Sequence, residues 1–186
     1  MEDLEVYKKI IQTLENRGIQ FEDGLTNKEV IDIEKRYGVI FPDELKSFFS
    51  IALPVAGGFY NWRDITDSNV NIIKRRFKIP FVELVEDIDE IYWSDDWENE
   101  PDNKEERNTI LLNKINSAPK LIPIYSHRYI ASVKSSQNPV FSVYGTDIIY
   151  YGESLGSYLE IEFGLKKHSD MKTEIIVPVP FWSELL

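Results

Sequence analysis

A histidine, a hydroxyl and a guanidinium stand side by side in the stretch Tyr125-Ser126-His127-Arg128-Tyr129. A general base or a serine nucleophile also needs an orienting carboxylate and an oxyanion site. Adjacency in sequence supplies neither, because neighbouring residues on a strand point to opposite faces. We therefore expect a structural His127 whose imidazole, with Arg128, holds acidic or backbone groups, and we predict no catalytic residue.

The sequence offers few residues that could bind a metal or a cofactor. There are two histidines and no cysteine, so a zinc site would need His127, His168 and carboxylates from distant segments. Gly57-Gly58 and Gly145 lack the context of a phosphate-binding loop, and residues 95–102 lack the alternating acids and glycine of a calcium loop. The sequence predicts no metal and no cofactor, and His168 is expected to be solvated.

The strongest charge signal lies in residues 87–106, which hold ten acidic residues against the single base Lys104. The segment can be interpreted as a solvated face. Alternatively, its aromatic residues and carboxylates are those of an interface with a basic protein. The predicted partner-binding residues are Trp93, Asp95, Asp96, Trp97, Glu98 and Glu100.

The overall charge supports a basic protein partner over a nucleic acid. Lys plus Arg is 21 and Asp plus Glu is 32, which gives a net charge of −11. Such a chain repels phosphates unless a local basic patch overrides the total, and the candidate patch is Lys74-Arg75-Arg76 with Lys78. We expect no direct nucleic-acid binding. The acidic start and the lack of a long apolar run predict no signal peptide, no membrane association and a cytoplasmic location.

The elements that must position these residues begin with three helices. Apolar residues at helical spacing predict a helix over 4–16. Thr26 and Glu29 form a capping box that predicts a helix from 26 to Gly38, and Pro42 opens the next helix, over 43–51. A length of 186 residues suits one domain.

The rest of the chain mixes helices and strands. Helices are predicted over 69–77, ending before Pro80, and over 103–117 and 153–163. Four apolar strands, expected to be covered on both faces, are predicted at 121–125, 129–133, 140–144 and 148–151. The apolar end, residues 175–182, should dock on the body. We predict burial of Phe48, Phe49, Phe141 and Val143.

The order of these motifs resembles the SUKH superfamily of bacterial immunity proteins, which also includes a fungal cell-wall-synthesis regulator. In the first half the resemblance rests on Glu29 and Glu34 in the capped helix, the junction 38–46, Phe48-Phe49 and Gly57-Gly58. In the second half it rests on 118–129, 138–144, 147–152 and Phe181-Trp182. Phe41 departs from the family pattern, which has leucine before the proline. The resemblance covers most of 25–186, after an N-terminal helix and loop over 1–24.

The resemblance implies a single α+β domain, with a twisted, mostly antiparallel sheet, helices packed against it and no catalytic machinery. Such proteins bind and neutralise toxins, often nucleases. Our first hypothesis is a non-catalytic immunity protein whose partner is a basic toxin domain. The alternative is a regulatory or scaffold module that binds a peptide or a small ligand. A third class, a hydrolase that uses His127, is left open.

Overall fold

Local capping signals position the first helices. The computed structural model describes residues 2–186, and its first helices are α1 (Glu2–Asn16), α2 (Asn27–Tyr37) and α3 (Asp43–Ile51). The Thr26 hydroxyl accepts a hydrogen bond from the Glu29 N–H, while the Glu29 carboxylate accepts one from the Thr26 N–H. Gly38 ends α2 in the left-handed region, at φ 62°. The capping box and both helix boundaries are confirmed.

The remaining elements follow a helix-rich order. A two-stranded antiparallel ribbon joins β1 (Phe21–Asp23) to β2 (Ala52–Pro54). The other helices are α4 (Asp67–Glu86), α5 (Lys104–Ser117) and α6 (Leu155–Glu162). The other strands are β3 (Leu121–Tyr125), β4 (Arg128–Ala131), β5 (Val140–Tyr144) and β6 (Asp147–Gly152). Short 3₁₀ turns occupy Ile88–Glu90, His168–Asp170, Thr173–Ile175 and Trp182–Leu185.

The four later strands form one antiparallel sheet in the order β3-β4-β5-β6. Together with the surrounding helices it makes the predicted α+β fold. Alternate residues of the strands enter two separate hydrophobic clusters, as the pleat requires. On β4, Ile130 belongs to one cluster, whereas Tyr129 and Ala131 belong to the other. The prediction of strands covered on both faces is thus confirmed for the central part of the sheet.

The two clusters divide the helices between the faces of the sheet. The first cluster contains buried residues of α1, α2, α3 and α6, such as Leu14, Phe48 and Tyr158. The second contains residues of the C-terminal half of α4, of α5 and of the chain end, such as Leu84, Leu111 and Trp182. The apolar end of the chain therefore docks on the sheet, as expected. Phe48, Phe49, Phe141 and Val143 are all buried.

The predicted end of a helix before Pro80 is wrong, because α4 continues through this residue to Glu86. A proline inside a helix leaves the carbonyl four residues earlier without its helical hydrogen bond. That carbonyl belongs to Arg76, and it accepts a hydrogen bond from the Tyr129 hydroxyl at 3.3 Å. Pro80 is itself buried. A contact with the sheet thus satisfies the acceptor that the proline leaves free.

Within the described residues, none of the helices combines the length and the apolar character that crossing a bilayer requires.

The first prediction concerns Phe49, which is 1% exposed and packs against Phe41 and Phe48 at ring-centre distances of 5.9 and 5.6 Å. We expect Phe49→Ala to lower the free energy of unfolding by about 3–5 kcal/mol, because it removes buried surface and leaves a cavity. Urea titration followed by tryptophan fluorescence measures this. An unchanged midpoint would contradict the packing described above.

The second prediction concerns pH. The Arg63 guanidinium, together with Thr26, lowers the pKa of Glu29 to about 2. Because the unfolded chain takes up this proton near the ordinary value of 4.5, ionised Glu29 stabilises the fold above that pH, and the contribution is lost as the pH falls toward about 2. We expect Glu29→Gln to lower the urea midpoint at neutral pH and the difference from wild type to shrink in acid.

Glu15→Gln provides the control for this measurement, because Glu15 is an exposed carboxylate elsewhere on a helix. Its effect on the midpoint should be small at every pH. A Glu29→Gln difference that stays constant from neutral pH into acid would show that the ionised carboxylate contributes nothing specific.

Candidate functional site

Trp97 holds residues 87–106, which we call the acidic segment, in place. This residue is 7% exposed, and its ring stacks on Phe181 at 6.0 Å with an angle of 9° between the planes. Trp93 meets it edge-on at 5.1 Å. Both tryptophans therefore pack on the second hydrophobic cluster, and Trp97 is one of its buried members.

Glu184 connects this packing to the chain end. One of its carboxylate oxygens accepts a hydrogen bond from Trp97 Nε1 at 2.6 Å, and the other accepts one from the Phe181 N–H at 2.8 Å. Phe181 has φ 70°, a left-handed conformation that side-chain-bearing residues rarely adopt. The charge-assisted bonds to Glu184 and the packing of the Phe181 ring hold the backbone in that conformation.

Several acids of the segment are paired with cations of α5. Glu98 lies 3.6 Å from Lys114 Nζ, and Glu100 lies 3.2 Å from an Arg107 nitrogen. Lys114 Nζ also lies 5.0 Å from the centre of the Trp97 ring. Glu98 contributes its carbonyl too, which accepts a hydrogen bond from Trp93 Nε1 at 2.8 Å. These contacts dock the segment on α5 and reduce the negative charge that Glu98 and Glu100 present to solvent.

Asp95 and Asp96 lie instead at the edge of a cavity of about 710 Å³ between the acidic segment and the chain end. The buried Ser94 fixes the turn, since its hydroxyl accepts a hydrogen bond from the Asp96 N–H and its carbonyl accepts one from the Trp97 N–H. We call this space the acidic cavity. The residues that line it include Tyr92, Asp95, Asp96, Pro178, Pro180 and Glu184.

The acidic cavity combines negative charge with apolar surface. No lysine, arginine or histidine is among its described lining residues, whereas three carboxylates are. Tyr92 is 53% exposed and lies beside Asp95 and Asp96. A cationic side chain with an aliphatic stem suits such a site, because the stem can pack on apolar surface while the head meets carboxylates.

The predicted partner-binding residues are thus only partly brought together. Asp95 and Asp96 share the acidic cavity, while Glu98 and Glu100 pair with α5 and Trp93 packs on Trp97. The ring of Trp97 is packed in the core and is not presented to a partner, which corrects its expected role as an interface anchor. Sequence reasoning missed Glu184, because its contact with Trp97 joins residues 87 positions apart.

The serine and histidine at the turn between β3 and β4 are close to each other. Ser126 Oγ lies 3.2 Å from His127 Nδ1, and Ser126 has φ 48°. Burial, with Arg128 nearby, lowers the pKa of His127, which favours the neutral imidazole. The imidazole of His127 is within hydrogen-bond distance of the Ser126 hydroxyl and contacts the ring of Tyr144. Neither residue supplies a carboxylate that would orient the imidazole.

Arg128 has the structural role that the sequence suggested for it. It is buried, with Nε 2.9 Å from Glu162 of α6 and another nitrogen 2.7 Å from the Ser142 hydroxyl. Its guanidinium lies 3.9 Å from the centre of the Tyr151 ring. Arg128 therefore ties α6 to the sheet.

His168, in contrast, is exposed, with Nε2 3.1 Å from the Tyr150 carbonyl.

Among the side chains that the structure describes, those of residues 4–186, no three or more from histidine, aspartate and glutamate are arranged to hold a metal ion. Comparisons of the chain with protein-family models, with curated proteins and with solved structures find no match. The chemistry of the surfaces themselves is therefore the basis for assigning a function.

The third prediction concerns Trp97. We expect Trp97→Ala to lower the free energy of unfolding by about 3–5 kcal/mol, because it empties a packed site. Trp97→Phe keeps an aromatic ring but removes the hydrogen bond to Glu184, so it should cost about 1–3 kcal/mol. Thermal and urea denaturation followed by circular dichroism measure both. Wild-type stability in Trp97→Ala would show that the ring is not part of the core.

Proposed function

We propose that this protein is a non-catalytic protein-binding domain, an immunity protein that neutralises a bacterial toxin with a basic surface. The observation that carries the proposal is the acidic cavity, in which Asp95, Asp96 and Glu184 face a shared space without a cation among its described lining residues. A nuclease domain must present a cationic cleft to grip phosphates. An acidic inhibitor can occupy that cleft and exclude the nucleic acid.

The shape of the site supports a protein partner. Lysine or arginine side chains of a toxin would place their stems against Tyr92, Pro178 and Pro180 and their charged heads near Asp95 and Asp96. Exposed carboxylates also accelerate encounter with a basic protein, since they attract it before contact.

The resemblance to the SUKH superfamily supports the same role, because the α+β fold expected from it is the observed class. The surroundings of His127 favour binding over catalysis. Its described contacts include a hydroxyl and an aromatic ring but no carboxylate that would orient the imidazole as a general base. We therefore assign no catalytic role to His127.

The fourth prediction tests the acidic cavity with the cognate toxin domain, once a neighbouring gene identifies it. We expect Asp95→Lys combined with Asp96→Lys to slow association about tenfold or more in stopped-flow measurements at low salt, and to abolish protection of cells that express the toxin. Wild-type association should also slow as salt rises, because screening shortens the electrostatic reach to about 8 Å at physiological ionic strength.

The matched control is Glu15→Lys combined with Glu174→Lys, which changes the net charge by the same amount at exposed positions outside the cavity. This variant should retain most of the association rate and protect cells. An equal loss in both variants would show that only total charge matters. Full protection by the Asp95→Lys and Asp96→Lys variant would remove the acidic cavity from the interface.

A further inference from the structure

A second cavity, of about 390 Å³, lies between α2 and α4 and has the opposite charge. Four cations line it: Arg36 from α2, Lys74 and Lys78 from α4, and Lys120 just before β3. No acidic side chain is among its described lining residues. In a chain with 32 acidic and 21 basic residues, a cluster of this sign runs against the overall balance.

These cations are not used within the fold as ion-pair partners. Arg107 and Lys114 of α5 each pair with a carboxylate, but among the described residues no ion pair involves Arg36, Lys74 or Lys78. Lys120 has a different role, because its Nζ donates to the Gly38 carbonyl at 3.0 Å. It thereby compensates the negative end of α2. The other three charges remain available to a ligand.

The floor of this cavity is apolar. Tyr37, Phe77 and Phe81 line it, and Val82, which is 47% exposed, stands at its edge. Tyr37 and Phe77 contact each other at 5.7 Å between ring centres. A ligand that fills the site must therefore bring apolar groups for the floor and negative charge for the rim.

The cavity continues at both ends. A neighbouring cavity of about 520 Å³ shares Lys120 and is lined by Ile31 and Ile40, which are 49% and 51% exposed. Glu34 also lines it, but its carboxylate pairs with Lys46 at 3.0 Å.

On the other side, a cavity of about 340 Å³ shares Phe81 and Val82 and reaches Leu112 of α5, with Glu86 also in its lining. The four cations thus line the central cavity, and the two ends contribute mainly apolar surface. We call the three together the α2–α4 groove. Its elongated apolar surface suits a polypeptide segment better than a single small molecule.

We propose that the α2–α4 groove binds an acidic segment of a partner protein that also carries apolar side chains. The apolar side chains would pack on Phe77, Phe81 and Val82, and the carboxylates would pair with Arg36, Lys74 and Lys78. This interaction is separate from the acidic cavity and does not depend on the role proposed for it. Nucleic acid fits less well, because a phosphate backbone carries no apolar side chains that could pack on Phe77, Phe81 and Val82.

The acidic segment of a second copy of this chain is a poor occupant. Its tryptophans pack on the chain's own core, and Glu98 and Glu100 already pair with Lys114 and Arg107. Asp95 and Asp96 remain exposed, but they lie at the acidic cavity and not on a free strand or helix. The acidic segment that fits the groove therefore comes from another protein.

The fifth prediction is tested by fluorescence anisotropy with a labelled synthetic peptide in which Glu alternates with Leu and Phe. Two further peptides replace Glu by Lys or the apolar residues by Ser. We expect the 186-residue chain to bind the first peptide at least about tenfold more tightly than either control, since the groove requires both charge and apolar contact. Lys74→Glu combined with Lys78→Glu should weaken binding about tenfold or more, as should Val82→Asp.

Matched controls separate the groove from total charge and from hydrophobicity in general. Lys9→Glu combined with Lys134→Glu, and Val177→Asp, make the same changes at exposed positions elsewhere and should bind like wild type. The Asp95→Lys and Asp96→Lys variant should also retain peptide binding, whatever its effect on a toxin. Circular dichroism confirms that each variant is folded.

Several outcomes would overturn the proposal. These are equal binding of the three peptides, no binding of the acidic apolar peptide at millimolar concentration, or equal losses in the groove variants and their controls. Tighter binding of a labelled single-stranded oligonucleotide than of the peptide, lost in the Lys74→Glu and Lys78→Glu variant, would assign the groove to nucleic acid. Concentration-dependent dimerisation lost in the same variant would assign it to a second copy.

Discussion

The arrangement of the sheet and its helices depends on one buried carboxylate, that of Glu44 in the first turn of α3. One oxygen accepts a hydrogen bond from the Asn138 N–H, just before β5, at 2.9 Å, and the other accepts one from the Leu155 N–H, the first of α6, at 3.2 Å. A carboxylate that is 8% exposed is tolerated only when such bonds replace water. Glu44 therefore fixes α3, β5 and α6 relative to one another.

The placement of α6 leaves the other face of the sheet to α4, α5 and the chain end. At Gly152 a Cβ atom would lie 2.6 Å from backbone atoms of Tyr158, so α6 approaches the end of β6 as closely as a glycine allows. On the opposite face, Trp97 and Phe181 close the second cluster and Glu184 joins them. Asp95 and Asp96 are consequently presented by a segment whose anchor is hydrophobic, while its charges remain in solvent.

The sequence was most informative where the signal is local. The Thr26 capping box, the left-handed Gly38 and the four apolar strands are each determined by residues a few positions apart. The continuation of α4 past Pro80 was not predictable in this way, because a hydroxyl from β4 satisfies the freed carbonyl. Likewise, aromatic and acidic residues around Trp97 suggest an interface until Glu184, 87 positions away, is seen to bind its indole.

Net charge proved a poor guide to the surfaces of this protein. On α5, Arg107 and Lys114 pair with carboxylates of the acidic segment and anchor it. In contrast, Lys74 and Lys78 of α4 form no ion pair among the described residues and lie beside an apolar groove. At physiological ionic strength, charges farther apart than about 8 Å are largely screened from one another. A partner that reaches either surface therefore responds to the local charges there. A chain with a net charge of −11 can in this way offer one site to a basic partner and another to an acidic one.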